Sequence, residues 1–159
     1  KLEPGTLNDD YATFLIFEES LADLIGRLGF TGVTSWGNPE KLAGMWQKRR
    51  PLYEHLTQTA EHFWLAKQAG ETIGFARSIL RDVVRQLTEL FVKPGIQSHG
   101  LGRALMARTF PAESARQRFI IATPDFRAQA LYLKAGVFPR FPIYYFGREP
   151  EPVPVQSSL

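Results

Sequence analysis

Gln97, Gly100 and Gly102, in the run Gln97-Ser98-His99-Gly100-Leu101-Gly102-Arg103, are the residues whose type and spacing first suggest chemistry. The run follows a strand-like stretch, Gln86 to Val92, and a Pro94-Gly95 pair that reads as a turn. Beyond it the apolar spacing becomes helical, with Leu101, Leu105 and Arg108 on one side. A strand passing through a glycine loop into a helix start outlines an anion site. The first amides of a helix have no intrahelical partner, the dipole there is positive, and glycine lets a phosphate approach the backbone. Arg103 and Lys93 add charge at the rim, and Arg81, Arg85, Arg108, Arg116 and Arg118 lie nearby in the chain. The same pattern also fits a plain connection in which the glycines only make the turn.

Two common phosphate loops do not fit. A P-loop needs Lys and then Ser or Thr after its last glycine, where this chain has Arg103-Ala104; a dinucleotide fingerprint needs a third glycine where Leu105 stands. The remaining pattern, Gln97-x-x-Gly100-x-Gly102 behind a strand ending Leu90-Phe91-Val92, resembles the acyl-CoA pyrophosphate loop of the GNAT superfamily of N-acetyltransferases, Gln/Arg-x-x-Gly-x-Gly/Ala. A second stretch, Asp125 to Val137, is similar to the family's Asn-x-x-Ala-x-x-Leu-Tyr-x-x-x-Gly-Phe through Ala128, Leu131, Tyr132 and Gly136. It departs from that signature at Asp125 and Val137. The similarity spans Glu61 to Phe146, with a weaker fit upstream.

The resemblance implies an α/β (α+β) GNAT fold: a mixed, mostly antiparallel twisted sheet with a splayed parallel pair, helices on both faces, and a first strand that is weak or absent here. It implies that backbone groups of Leu90, Phe91 and Val92 pair with the pantetheine arm of acetyl-CoA. The pyrophosphate then rests on the amides of Gln97, Ser98, His99, Gly100, Leu101, Gly102 and Arg103. Near Val92 a backbone N–H polarises the thioester carbonyl. Asp125, in place of Asn, would meet the pantetheine amide as acceptor only. Tyr132 is implied as the donor to the departing thiolate, its alternative being an aromatic packed on the sheet. Glu89 is implied as the base, its alternative a solvated or salt-bridged carboxylate; a drift of one residue along a strand reverses the face it points to. The activity implied is transfer of acetyl from acetyl-CoA to a primary amine by direct attack, with coenzyme A as the only cofactor and no metal. The alternative is a catalytically silent acyl-CoA-binding module, part of a tandem protein.

These residues need elements to hold them. Asn8 or Asp9 caps a helix carrying Tyr11, Phe14, Leu21 and Leu24 and ended by Gly29 and Gly32. Asn38-Pro39 starts a second helix with Trp46 and Tyr53 on one face, and Pro51 predicts a kink or break in it. Phe63–Lys67 and Thr72–Ile79 form a hairpin, Gln86–Val92 a third strand, and the helix from Gly100 meets Pro111. Phe119–Thr123 reads as a buried strand parallel to the third, Ala128, Leu131, Tyr132 and Ala135 as the apolar face of the next helix, and Phe141–Phe146 as the last strand. Residues 1–147 are expected to form one acyl-CoA-binding domain, and residues 148–159, with Pro150, Pro152 and Pro154, a proline-rich tail or linker.

Composition narrows the class. A chain of 159 residues that is 44% hydrophobic has enough apolar side chain for one core. With no cysteine there is no disulfide, thiolate metal site or cysteine nucleophile. The net charge of +3 is small and scattered, which argues against nucleic acid. No apolar run approaches the roughly 20 residues of a membrane span. A cytoplasmic protein without a membrane partner is expected, and a homodimer is left open. His55 and His62 read as structural and His99 as loop surface, with no metal-ligand spacing among them. The acceptor would be chosen by the first two helices, their loop and the last strands, through Trp36, Trp46, Tyr53, Tyr144 and Tyr145 among others, and these name no single amine.

Overall fold

The computed structural model describes residues 1–29, 34–97, 100–113 and 115–144. Ser98, His99, Tyr145, Phe146 and the tail at 148–159 lie outside the described residues.

Among the described residues five strands lie in chain order: β1 (Leu2–Pro4), β2 (His62–Gln68), β3 (Glu71–Arg81), β4 (Val84–Val92) and β5 (Gln117–Ile120). The first four pair antiparallel and β5 runs parallel to β4. Side chains on a strand alternate between faces, and the core divides accordingly. Leu65 and Phe75 pack with Ile16 of α1 (Asp10–Arg27) on one face, while their neighbours Ala66 and Ala76 pack with Leu105 of α3 (Leu101–Thr109) on the other. α2 (Pro39–Thr59) lies against α1 through the rings of Phe14, Trp46 and Tyr53. α4 (Phe126–Lys134) joins α3 over Leu87, Met106 and Phe110. The result is the expected mixed sheet with helices on both faces.

Several expectations need correction. The first strand is present: Leu2, Glu3 and Pro4 pair with Ala66, Leu65 and Trp64. Three residues at a sheet edge are too few to show a period of their own, and the ladder with β2 and the Lys67–Glu3 ion pair (2.7 Å) hold them. Asn8 is not the cap; Asp9 turns back to the Thr6 amide (2.9 Å) and hydroxyl (2.8 Å) around a 3₁₀ turn that leads into α1. Helix α2 runs unbroken through Pro51. That residue is exposed, as is Gln47 one turn before it, so the carbonyl deprived of its partner faces water. β4 begins two residues before Gln86, because the β3–β4 turn is only Asp82-Val83, with Asp82 left-handed at φ 51°. Phe141 to Tyr144 do not form a strand.

Close approach of β3 and β4 requires a glycine at Gly74. A Cβ there would lie 3.0 Å from the Phe91 carbonyl oxygen and 3.3 Å from Val92 Cγ2. Gly74→Ala is expected to cost about 1–3 kcal/mol through overpacking. Chemical denaturation measures this, and an unchanged midpoint would show that the two strands yield freely.

Candidate functional site

The parallel pairing of β4 with β5 covers only Val84 to Leu87. It ends where β4 carries a bulge: Ser78 faces Leu87 and Arg77 faces Glu89, leaving Thr88 as an extra residue whose hydroxyl donates to the Arg77 carbonyl (3.1 Å). A bulge bends its strand and raises the local twist. Past it, β4 and the chain after β5 form opposite walls of a cleft of about 440 Å³, closed on a third side by Phe17, Leu21 and Leu24 of α1.

Backbone direction along the free edge follows from the ladder. The Lys93 N–H bonds the Ile73 carbonyl (3.0 Å), so Lys93 and Phe91 turn toward β3, and Leu90 and Val92 turn toward the cleft. Val92 does not offer its carbonyl freely. Gln97 donates to it through Nε2 (2.9 Å), and the Ser20 hydroxyl lies 3.4 Å away.

At the cleft's end Gly100 is the N-cap of α3 with φ 80°, a conformation glycine adopts without strain. The first helical bond runs from Ala104 N–H to the Gly100 carbonyl (3.0 Å). The amides of Leu101, Gly102 and Arg103 therefore have no partner a turn earlier within the helix. Gly102 permits α4 to come close, since a Cβ there would meet Leu131 Cδ2 at 3.4 Å. The Leu101 side chain belongs to the core and not to the cleft lining.

Other nearby cations are occupied. Lys93 pairs with Glu71, and buried Arg85 binds both oxygens of Glu61 and the carbonyls of Pro111 and Glu113. Arg118 donates to the carbonyls of Phe110 and Ala135. Arg103 faces the cleft.

Tyr132 lines the cleft from α4. Burial, with a smaller contribution from the charge of Asp125, pushes its hydroxyl up to about 12, so it keeps its proton at neutral pH. Asp125 caps α4, accepting from the amides of Arg127 (2.8 Å) and Ala128 (3.3 Å), and receives Arg27 Nη2 at 2.7 Å. Burial opposes its ionisation, but the hydrogen bonds from Arg27 and the two amides together hold its carboxyl below the usual range. An ion pair thus joins the end of α1 to the start of α4 at the cleft.

Glu89 projects to the α1 face. Its Oε2 lies 2.6 Å from Nη1 of Arg77, and Nη2 of the same guanidinium lies 2.6 Å from Oδ1 of Asp10. Arg77 is fully buried and sits 4.1 Å from the centroid of the Phe63 ring. Thr13 accepts from Nη2 (3.1 Å), and the Thr57 hydroxyl donates to Asp10 Oδ1 (2.5 Å). Two carboxylates therefore share one guanidinium out of water. Burial pushes both acids up from the ordinary range; the Thr57 hydroxyl and then Arg77 offset this only in part at Asp10, and Arg77 only in part at Glu89. Asp10 Oδ2 and Arg77 Nε have no hydrogen-bond partner among the described residues.

A splayed parallel pair, a helix start whose first amides lack intrahelical partners, and a tyrosine and a carboxylate on its walls are now in one place. Residues 16–137 match the model of the acetyltransferase (GNAT) family. The chain belongs to that family. Among solved structures it is similar to a GCN5-related N-acetyltransferase from Ralstonia eutropha, with 17% identity and a TM-score of 0.63 over 91% of this chain and 96% of the other. It is also similar to an aminoglycoside acetyltransferase from an uncultured soil metagenomic sample (16%, TM-score 0.59, 94% and 98%). A third is AAC(6')-Iy in complex with the bisubstrate analogue CoA-S-monomethyl-acetylneamine (17%, TM-score 0.57, 94% and 97%). At such identities the likeness is one of fold. No curated protein matches the chain significantly in sequence.

Of the positions named from the GNAT signatures, Leu90, Phe91, Val92, Gln97, Gly100, Gly102, Arg103, Asp125, Tyr132 and Glu89 line the one cleft. No motif in the sequence singles out Asp10 or Arg77. The signal available was an arginine inside the apolar run Ile73-Gly74-Phe75-Ala76-Arg77, where a buried charge demands a partner. Among the described residues no group of three His, Asp or Glu is placed to hold a metal, and no helix is long and apolar enough to cross a membrane.

Proposed function

We propose that this GNAT family member transfers acetyl from acetyl-CoA to a primary amine by direct attack. The observation that carries this reading is the gap between β4 and β5, which opens beside the N-terminal amides of α3 that lack intrahelical partners. The residues present suit coenzyme A: an extended arm can add to the outward backbone of Leu90 and to the Val92 N–H, and a diphosphate fits the amides of Leu101, Gly102 and Arg103, with the Arg103 side chain beside it. Ser98 and His99 belong to the same loop by sequence.

Acetyl-CoA supplies an activated thioester. Tyr132, protonated at neutral pH, gives a proton to the departing sulfur. Glu89 takes the proton of the attacking amine, directly or through one water. Asp125 anchors α4 and, through Arg27, the end of α1. Residues 1–147 act as one acyl-CoA-binding domain.

Incubation with acetyl-CoA and a panel of amines is expected to release free coenzyme A with at least one acceptor class. Coenzyme A at about 100 times its Kd should stabilise the fold by about 2.7 kcal/mol, read as a raised thermal midpoint. Stabilisation without turnover on any amine would favour the silent acyl-CoA-binding module, a reading supported by the capture of Glu89 by Arg77 and of the Val92 carbonyl by Gln97. Absence of both effects would remove the acyl-CoA reading.

A further inference from the structure

We propose that Asp10 sets the proton affinity of Glu89 through Arg77, making Asp10 and Arg77 positioning residues for the proton acceptor. The inference rests on the reading of Glu89 as that acceptor.

An arginine facing one carboxylate can bind it with two parallel bonds. Here the guanidinium is divided: one terminal nitrogen goes to Asp10 and the other to Glu89, each at 2.6 Å. Neither acid receives the full fork. Asp10 is buried and absent from the cleft lining, whereas Glu89 lines it. Asp10 therefore acts on the reaction only through its neighbour.

The charges around the pair do not relieve it. The 3₁₀ turn before α1 contributes Asp9, and α2 contributes Glu54, both raising the cost of a charged Asp10, while Thr57 of α2 stabilises that charge by hydrogen bonding. Tyr53 of α2, whose hydroxyl burial pushes far up, stands near Glu89, Arg77, Arg49 and Glu18 and is neutral. β3 contributes Arg77 alone to Glu89. A competing anion on the same guanidinium weakens the hold of Arg77 on Glu89 and adds direct repulsion; both act with burial to hold the Glu89 carboxyl above its ordinary range, the direction a proton acceptor needs.

Asp10→Asn tests this with little change in shape, because the amide oxygen can still accept from Thr57 and Arg77. The readout independent of turnover is the ¹³C shift of the Glu89 carboxyl across pH, assigned by its loss in Glu89→Gln. In Asp10→Asn the Glu89 midpoint is expected to move to lower pH, and the acid limb of kcat/KM to move with it. An unmoved Glu89 midpoint in a variant that still shows coenzyme A-induced thermal stabilisation would overturn the coupling. Should Asp10→Asn fail to fold, Thr57→Val provides the second arm. Losing that hydroxyl changes the charge that Asp10 presents to Arg77, so the Glu89 midpoint is again expected to move, and an unmoved midpoint there overturns the proposal. If the carboxyl midpoint moves while the kinetic limb stays, the coupling stands and the assignment of Glu89 as proton acceptor fails.

Discussion

Replacing Arg77 with methionine is expected to remove about 3–5 kcal/mol of stability, since it leaves buried carboxylates without their counter-ion. For a chain of this length that corresponds to a fall in Tm of about 6–20 °C. Arg77 is fully buried, and its head group holds Asp10 of α1 and Glu89 of β4 at once. Methionine preserves part of the stem but neither charge nor donors. The loss therefore includes a whole junction between helix and sheet, on top of cation–ring contacts with Phe63, Tyr53 and Phe75. The triple variant Asp10→Asn, Arg77→Met, Glu89→Gln should regain much of the loss, because it buries no net charge. Calorimetry on the two proteins decides the matter. A single variant within a degree or two of the parent would mean that water reaches the cluster and screens it.

Glu89→Gln carries the largest expected effect on activity. The glutamine oxygen can still accept from Arg77, so the packing between α1 and β4 is kept, while the ability to take a proton is lost. The expected fall in kcat is about 10²–10⁴-fold, the usual contribution of a positioned general base. Coenzyme A affinity should hardly change, since the proposed diphosphate contacts lie on α3. The direction of the pH dependence follows from the environment. Burial pushes the Glu89 carboxyl above the ordinary range, so in the parent the acid limb of kcat/KM should lie above that of an exposed carboxylate, and in Glu89→Gln it should disappear. Steady-state kinetics over pH makes the measurement. A kcat within threefold of the parent would assign the proton to another group or to water alone.

Both variants depend on a cluster the sequence did not announce, in contrast to the glycine loop before α3. Gly100 and Gly102 were legible because a helix start is a local object: a left-handed cap, a small residue where α4 approaches, and amides whose lack of partners follows from helix geometry. The second signature was legible for the same reason, with Asp125 capping the helix that carries Tyr132. Alternation and periodicity located β2, β3, β4 and the helices, while the mixed sheet was implied by the family resemblance; β1 was too short to show a period, and the strand expected from Phe141 does not form over Phe141 to Tyr144.

The sequence by itself determined which short segments build the glycine-capped start of α3 and the Asp125-capped helix facing it, since residue types within a few positions dictate local backbone geometry. Only the tertiary structure decided which way Glu89 points and what it meets. The extra residue Thr88 moves the alternation of β4 by one, a shift that depends on register against β3. Asp10 reaches Arg77 from 67 positions away, and Arg27 reaches Asp125 from 98. Charge pairing across such distances leaves no periodic trace in the chain, because it arises only when packed elements bring the side chains together; at Arg77 burial then forbids the charge to remain alone.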